Sequence, residues 1–157
     1  MATRVFDAPF GPLILTASEL GVSEIWFGRT PRVDVSDNSD AALASLDEAQ
    51  RQLSEYFDGR RTTFDVPLDR RSRKGFRGEV LDALETVPFG TTVTYGELAA
   101  NAGRPNAARA VGSTMATNPI AIIVPCHRVL PSGGGVGQFG GGVAAKEWLL
   151  RREGCLD

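Results

Sequence analysis

Three short segments near the start of the chain have the residue pattern of β-strands. Arg4 to Phe6, Leu13 to Ala17 and Val22 to Phe27 are rich in β-branched, aromatic and leucine residues, and turn-forming Gly and Pro residues separate them. Such runs between turn signals are typical of strands joined by tight connections. We therefore predict an antiparallel meander of three strands.

A helical repeat of apolar residues comes next. It begins near Ser39 or Asp40, after a polar loop from Arg29 to Asn38, and it ends at the stop signal Asp58-Gly59. This spacing predicts an amphipathic helix. Its apolar face consists of Leu43, Leu46, Leu53 and Phe57.

Thr63 to Leu68 can return as another strand, which completes a small α/β unit. After the charged stretch Asp69 to Lys74, apolar residues recur again at helical spacing and stop before Pro88. They are Phe76, Val80, Leu84 and Val87. We place the boundary at this change of pattern, which predicts an N-terminal domain over residues 1–73 and a C-terminal domain over residues 74–157.

The next segment predicts two short helices joined by a tight turn. Thr94 and Glu97 have the spacing of a capping box at the start of the first helix, which extends to Ala102. A Gly-Arg-Pro segment ends this first helix. Asn106 is suited to cap a second helix that extends to about Thr117. The pair is a helix-turn-helix candidate, although many such helical pairs only pack.

The remainder of the chain predicts a buried strand, a loop and a helix. The apolar run Ile120 to Val124 favours a buried strand that leads to Cys126. Seven glycines between Gly133 and Gly142 exclude a regular element and predict a loop that other groups can approach closely. Ala144 to Arg152 has the pattern of a terminal helix.

Charge is unevenly distributed along the chain. The formal net charge is −2, which argues against a protein that coats nucleic acid through bulk charge. Residues 1–73 carry nine basic against twelve acidic residues, whereas residues 94–152 carry six basic against two acidic ones. The basic region suits phosphate contacts, and an ordinary solvated face explains it equally well.

The chain has two cysteines, Cys126 and Cys155, and one histidine, His127. This set is too small for a disulfide framework or a four-ligand structural zinc site, so we expect no metal and no cofactor. The N-terminus does not resemble a signal peptide, and no apolar run approaches the ~20 residues of a membrane span. We expect a reducing, cytoplasmic setting without membrane contact.

Cys126 and His127 form the candidate reactive pair. A thiol becomes a strong nucleophile as the thiolate, which a nearby base or cation favours. Successive side chains of a strand point to opposite faces, so the two residues cooperate only if the backbone turns at this motif. For an arbitrary Cys-His pair, a buried structural thiol beside a surface histidine is the more common arrangement.

The pair lies within the longer run Ile122-Ile-Val-Pro-Cys-His-Arg-Val129. Further motifs are Tyr95 to Ala99, Ala107 to Gly112, Asn118-Pro119, the Gly-rich loop, Lys146 to Leu150 and Glu153-Gly154. In order and spacing, these motifs resemble the C-terminal domain of the O6-alkylguanine-DNA alkyltransferases, also called methylated-DNA-protein-cysteine methyltransferases. The resemblance covers about residues 76–154, and residues 1–73 resemble the family's N-terminal domain in layout only.

The resemblance implies a fold of two parts: an α/β N-terminal domain with a small antiparallel sheet and a helix in an RNase H-like layout, and a mainly α C-terminal domain with a helix-turn-helix of the winged-helix type. It also implies direct-reversal DNA repair, in which Cys126 takes the alkyl group of O6-alkylguanine irreversibly and only once. His127 would act as the base through a water molecule, with Glu153 orienting its imidazole. Asn118 would tie its own turn to the backbone near Cys126.

The family further implies a way of binding double-stranded DNA. Arg109 would enter the base stack from the minor groove and fill the space of a flipped nucleotide, and Tyr95 would help to rotate that nucleotide. Arg128 is also expected to contact DNA. The small residues that would let the helix approach the groove are Ala107, Ala108, Ala110 and Gly112. We expect a monomer before binding, and cooperative binding along DNA stays open.

The residues expected around the substrate are Met115, Val136, Gly137, Phe139, Gly140 and Lys146. One of them departs from the family pattern, because Phe139 stands where most members have a Tyr whose hydroxyl helps the departing guanine accept a proton. Phe139 can stack but cannot donate a hydrogen bond. A slower reaction or a broader pocket is expected, without loss of reaction, since the displacement depends mainly on the thiolate and on alignment.

Two other functions stay open at this point. A protein that binds alkylguanine without repairing it, as the alkyltransferase-like proteins do, would have another residue, often Trp, in place of Cys126. A cysteine hydrolase that uses Cys126 and His127 would need an oxyanion hole and would turn over. A thioether product, by contrast, has no leaving group that water displaces under mild conditions, so the stoichiometry of the reaction separates the alternatives.

Overall fold

The computed structural model describes residues 1–30 and 39–157. The chain divides into two compact units, Met1–Arg70 and Arg71–Asp157. Most of the predicted loop from Arg29 to Asn38 lies outside the described residues. Within the described ranges, no helix is both long and apolar enough to cross a lipid bilayer.

The first unit contains the predicted antiparallel meander. Its strands are β1 (Ala2–Ala8), β2 (Gly11–Ser18) and β3 (Gly21–Phe27), with β2 in the middle of the sheet. Two residues connect each strand to the next, which explains why neighbours in sequence are also neighbours in the sheet. Leu13 and Leu15 of β2 are completely buried, so the core of this unit lies around the central strand.

Helix α1 (Asp40–Phe57) contacts all three strands. Ser39 is its N-cap, because the Ser39 hydroxyl accepts a hydrogen bond of 3.2 Å from the Ala42 amide and so satisfies a donor that has no partner within the helix. Leu46 is completely buried, as the helical repeat predicted, whereas Leu43 is 37% exposed. The predicted helix is confirmed, but its buried apolar face does not include Leu43.

The predicted strand from Thr63 to Leu68 is wrong. Only Leu68 meets the sheet, at an isolated bridge with Val22. The Val22 amide donates to the Pro67 carbonyl and the Val22 carbonyl accepts from the Asp69 amide, both at 2.8 Å. Pro67 has no N–H with which to extend a ladder. Two residues before Pro67, the amide of Asp65 donates to the side chain of Gln52 at 3.0 Å instead of to a neighbouring strand.

The second unit is mainly helical. Its elements are α2 (Gly75–Glu85), β4 (Val93–Thr94), α3 (Tyr95–Asn101), α4 (Ala108–Ala116), a 3₁₀ turn (Cys126–Arg128), β5 (Val129–Leu130) and α5 (Val143–Arg152). The short strands β4 and β5 pair in parallel. The sequence did not predict this pair, because strands of two residues are too short to show a period.

Helices α3 and α4 form the predicted helical pair. In the capping box of α3, Thr94 Oγ1 accepts from the Glu97 amide and the Glu97 carboxylate accepts from the Thr94 amide, both at 3.0 Å. The prediction that Asn106 caps the second helix is wrong. The Ala107 amide closes a turn onto the Arg104 carbonyl at 3.0 Å, so Ala107 becomes the N-cap and α4 begins one residue later.

The predicted strand from Ile120 to Val124 is also wrong. The run forms a buried turn in which Ile122 has a φ of 74°, a left-handed backbone conformation that residues other than glycine rarely adopt. The Asn118 side chain closes this turn, because Nδ2 donates to the Val124 carbonyl at 2.9 Å and Oδ1 accepts from the Ile120 amide at 3.1 Å. A short apolar run predicts burial and does not by itself identify a strand.

Residues 131–142 form the predicted glycine-rich loop between β5 and α5. Gly137 has a φ of 76°, and a Cβ at this position would lie 3.0 Å from the ring of Pro131. Both the backbone conformation and the space therefore require glycine there. The terminal helix is confirmed and begins one residue before the predicted start at Ala144.

Candidate active site

Cys126 is the first residue of the 3₁₀ turn that follows Pro125. It is 7% exposed, and it lines a cavity of about 550 Å³ within the second unit. His127, the next residue, is completely buried. The backbone thus turns at the motif, as cooperation between these two side chains requires.

The cavity wall combines predicted and unpredicted residues. Of the residues expected around the substrate, the structure places Met115, Gly137, Phe139 and Gly140 on the wall. The lining does not include Val136 or Lys146. It does include two residues that the resemblance assigned to DNA, Tyr95 and Gly112, and three that the sequence did not single out, Ala116, Pro131 and Gln138. These three carried no chemical signal of their own in the sequence.

Lys146 is buried next to the glycine-rich loop. Its Nζ donates to the Val129 carbonyl at 2.8 Å and to the Gln138 carbonyl at 3.5 Å. Burial lowers the pKa of Lys146, and the neighbouring Cys126 opposes this shift. The residue therefore fastens the loop to β5 and contributes positive charge near the thiol.

Burial raises the pKa of the Cys126 thiol above its ordinary value. A hydrogen bond with the Asn118 side chain and the positive charge of Lys146 oppose this shift. Burial is the largest influence, so the cysteine is a neutral thiol at neutral pH and needs a base to become a nucleophile.

Behind the thiol, His127 belongs to a buried polar network. His127 Nε2 lies 2.7 Å from Glu153 Oε2, and the Arg128 guanidinium donates to both carboxylate oxygens of Glu153, at 2.7 and 3.0 Å. Arg128 also donates to the Val87 carbonyl at 2.7 Å. The side chains of His127 and Glu153 are inaccessible to solvent, and that of Arg128 is 7% exposed.

These contacts contradict the expected DNA contact of Arg128. Its guanidinium is buried and engaged with Glu153 and Val87, so it is not presented to a phosphate. The expectation came with the family resemblance. Nothing in the sequence motif shows that an acidic residue 25 positions later is the partner of Arg128.

The protonation of His127 follows from its surroundings. Burial lowers the pKa of the imidazole most strongly, the contact with Glu153 opposes this, and the charges of Arg128 and Lys146 lower it further. The imidazole is therefore neutral at neutral pH. Among the buried side-chain nitrogens and oxygens of the described residues, Nδ1 of His127 alone has no hydrogen-bond partner. With the proton on Nε2, this Nδ1 has a lone pair that can accept another proton.

Arg109 lies on the exposed surface of α4. It borders a second open cavity of about 400 Å³, to which Tyr95, Ala108 and Gly112 also contribute. Ala108 and Ala110 are exposed, and Ala107 and Gly112 are partly exposed. Around Arg109, α4 therefore presents a surface of small side chains.

Cys155 lies outside the cavity. Its sulfur is 4.0 Å from the Glu153 carbonyl, and burial raises its pKa. Across residues 1–30 and 39–157, no group of three or more His, Cys, Asp or Glu side chains is placed to hold a metal ion.

Known protein families match both units. Residues 75–155 match the family described as 6-O-methylguanine DNA methyltransferase, DNA binding domain. The chain belongs to the 6-O-methylguanine DNA methyltransferase family. Residues 1–70 match the ribonuclease-like domain of the same family.

Relatives within the 6-O-methylguanine DNA methyltransferase family are similar over the whole chain. A methylated-DNA-protein-cysteine methyltransferase of Methanosarcina acetivorans is 41% identical over 155 residues, which cover 98% of this chain and 99% of that protein. A mouse protein of the same name is 38% identical over 98% of this chain and 82% of its own length.

A solved structure from the same family agrees with the fold. The crystal structure of Mycobacterium tuberculosis OGT in complex with DNA is 38% identical, has a TM-score of 0.86, and matches over 99% of this chain and 95% of its own. The predicted family, the predicted enzyme class and the predicted fold, a small antiparallel sheet with a helix followed by a mainly helical DNA-binding domain, are confirmed.

Proposed function

We propose that this protein repairs DNA by direct reversal and moves the alkyl group of O6-alkylguanine onto Cys126, once per chain. The Cys126 thiol carries this proposal, because it faces a cavity while the adjacent buried imidazole keeps Nδ1 available to a proton donor. Membership in the 6-O-methylguanine DNA methyltransferase family supports the reaction class.

The reaction is an in-line displacement at the alkyl carbon. His127 Nδ1 takes the thiol proton through a water molecule, and Sγ of Cys126 forms a bond to the alkyl carbon. The bond from that carbon to guanine O6 breaks, its electron pair stays with guanine, and guanine takes up a proton. The products are S-alkylcysteine and unmodified guanine. Because water does not displace the thioether sulfur under mild conditions, each chain reacts once.

Three further residues prepare this step. Glu153 faces the Nε2 side of His127 and thereby orients the imidazole. Asn118 closes the turn before Cys126, and its amide favours the thiolate. Lys146 adds positive charge near Cys126 and holds the loop that carries Phe139.

A guanine inside a duplex cannot reach a thiol that is 7% exposed, so the target nucleotide must rotate out of the helix. We propose that Arg109 fills the space that the nucleotide vacates. The small residues of α4 would allow this helix to approach the minor groove closely. Tyr95 lines both open cavities, which suits a residue that guides the rotating nucleotide. A monomer in the cytoplasm would perform the whole reaction, with double-stranded DNA that contains O6-alkylguanine as its partner.

The test mixes the protein with a duplex that contains one O6-methylguanine and follows intact mass and peptide mapping. We expect one methyl group per chain, on Cys126, and no further turnover. Unmodified protein bound to the duplex would instead indicate a binding protein, and continued turnover would indicate a hydrolase. Methyl on Cys155 in place of Cys126 would contradict the assigned acceptor.

Arg109→Ala is expected to impair repair of duplex DNA more than repair of a single strand with the same lesion, because a single strand needs no extrusion of the base. The ratio of the two single-turnover rates should fall by roughly tenfold, which corresponds to about 1.4 kcal/mol. Arg151→Ala, an exposed arginine of α5, is the matched control. An equal loss on both substrates would contradict this role for Arg109.

Phe139→Tyr is expected to speed methyl transfer by up to roughly tenfold. The added hydroxyl can donate one hydrogen bond to the departing guanine, and such a bond contributes about 0.5–1.5 kcal/mol. Single-turnover rates with an O6-methylguanine duplex measure the effect. The same exchange at Phe27 of β3 serves as the control, and an unchanged rate at position 139 would show that the hydroxyl is dispensable.

A further inference from the structure

Arg128 does not line the cavity, yet its side chain belongs to the buried polar network that contains His127. Its guanidinium binds both carboxylate oxygens of Glu153, at 2.7 and 3.0 Å, and the face of Phe89 lies 5.9 Å away. Its third nitrogen donates to the Val87 carbonyl just beyond the end of α2. We propose that Arg128 is a positioning residue of the transfer site, which keeps Glu153 ionised and aimed at His127 so that Nδ1 stays the proton-accepting nitrogen.

The charge of Glu153 depends on Arg128. A carboxylate without solvent contact is strongly disfavoured unless it is paired and hydrogen-bonded. Arg128 supplies two parallel charge-assisted hydrogen bonds, which are shorter and stronger than hydrogen bonds between neutral groups. The Gly90 amide adds a long contact of 3.5 Å to Oε1. The ionised form of Glu153 is therefore the one that this pocket stabilises.

Arg128 also fixes the orientation of the Glu153 carboxylate. Glu153 Oε2 faces His127 Nε2, whereas Oε1 faces Arg128 Nε. The fork of the guanidinium fixes the plane of the carboxylate, and the bond to Val87 fixes the guanidinium. An ionised carboxylate can only accept a hydrogen bond, so it holds the imidazole proton on Nε2. Nδ1 is then unprotonated and available to the thiol proton.

Arg128 also affects the protonation of the His127 imidazole. The ionisable groups around His127 are Glu153 and Lys146 on the α5 side, and Arg128 and Cys126 in its own turn. Glu153 raises the pKa of His127, whereas Arg128 and Lys146 lower it. Removing Arg128 takes away one positive charge and leaves Glu153 without its main partner. Both changes favour uptake of a proton by the buried Glu153–His127 pair. Whether the imidazole becomes a cation or Glu153 becomes a neutral acid that donates to Nε2, Nδ1 carries a proton and cannot act as the base.

The inference rests on the proposed function, and the single histidine of the chain permits a test that does not depend on it. Selective ¹⁵N labelling of histidine gives one imidazole, whose two nitrogen signals report its tautomer and charge. In the wild-type protein at pH 7 we expect a protonated Nε2 and an unprotonated Nδ1. In Arg128→Met we expect Nδ1 to be protonated, and in Arg128→Lys an intermediate titration, since an ammonium keeps the charge but not the fork.

Single-turnover rates provide the second measurement. In Arg128→Met the rate at pH 7 should fall by about tenfold or more and should recover as the pH is raised, because Nδ1 then loses its proton. Arg151→Met, at an exposed pair on α5, should change neither the imidazole signals nor the pH profile. Affinity for undamaged duplex should be unchanged in Arg128→Met.

The outcomes are distinct. A folded Arg128→Met protein with wild-type imidazole signals and a wild-type pH profile would overturn the inference, as would a wild-type imidazole with its proton on Nδ1. If Arg128→Met does not fold, Arg128→Lys decides by the same criteria. Loss of duplex affinity with an unchanged imidazole would assign Arg128 to DNA contact. Wild-type protein that transfers no methyl group, yet shows the expected imidazole signals, would reject the proposed function and leave the role of Arg128 in place.

Discussion

Cys126→Ala is expected to abolish methyl transfer completely and to leave binding to O6-methylguanine DNA close to that of the wild type. The sulfur is the only atom of this side chain that forms a bond to the alkyl carbon, so its removal leaves no acceptor. Alanine fits the space of cysteine, and the walls of the cavity stay in place because other residues form them. Intact mass after incubation measures transfer, and fluorescence anisotropy with a labelled duplex measures binding.

The second cysteine provides the control for this experiment. Cys155 lies outside the cavity and is partly exposed, so Cys155→Ala should accept one methyl group per chain at the wild-type rate. A methylated Cys126→Ala protein would show that another residue is the acceptor. Loss of DNA binding in Cys126→Ala would show that the substitution disturbs the fold beyond the sulfur atom.

Glu153→Gln is expected to lower the stability of the fold strongly. It removes the negative partner of Arg128 and leaves a buried guanidinium uncompensated, and breaking a buried ion pair in this way costs about 3–5 kcal/mol. The same change should also slow methyl transfer, because an amide does not hold the His127 proton on Nε2 as a carboxylate does. Urea unfolding with an unchanged m-value would measure the loss of stability.

Two further variants make this prediction specific. Glu147→Gln breaks an exposed pair with Arg151 on the same helix and should cost no more than about 1 kcal/mol. The double variant Glu153→Gln, Arg128→Met should recover part of the stability lost in Glu153→Gln, since it removes the unpaired charge. A loss in Glu153→Gln as small as that in Glu147→Gln would contradict the buried ion pair.

The sequence predicted best those elements whose ends are defined by their own side chains. Ser39 and Thr94 cap the helices that begin after them, and both cap bonds are present. The strands of the meander were equally clear, because two-residue turns interrupt their apolar runs. In each case the information lies within a few residues, where a local pattern is sufficient.

The errors concern residues whose partners are distant or whose backbone is unusual. Ile120 to Val124 has the composition of a strand, yet Asn118 bonds to its backbone and turns it back on itself. Asn106 has the preferred side chain for a cap, but a turn onto Arg104 moves the start of α4 beyond it. Arg128 is basic, and only its folded position beside Glu153 shows that the charge is directed inward.

The candidate site shows the same division. The sequence and its family resemblance brought Cys126, His127 and Glu153 together, and the structure places the last two 2.7 Å apart. Pro131 and Gln138 were missed, although they line the cavity with the thiol. Neither residue has reactive chemistry, so only the course of the loop reveals them.

The parallel pair of β4 and β5 joins the start of α3 to the chain just after the Cys126 turn. Val93 pairs with Val129 and Thr94 pairs with Leu130, and Thr94 also begins the helix that carries Tyr95. The thiol and the tyrosine are therefore held on a common frame, to which the glycine-rich loop is attached from residue 131 onward. In protein engineering, substrate entry can therefore be changed separately from the reactive centre. The length of the loop and its composition at positions other than Gly137 can be varied in libraries to change which adducts enter, while the reactive centre keeps its alignment.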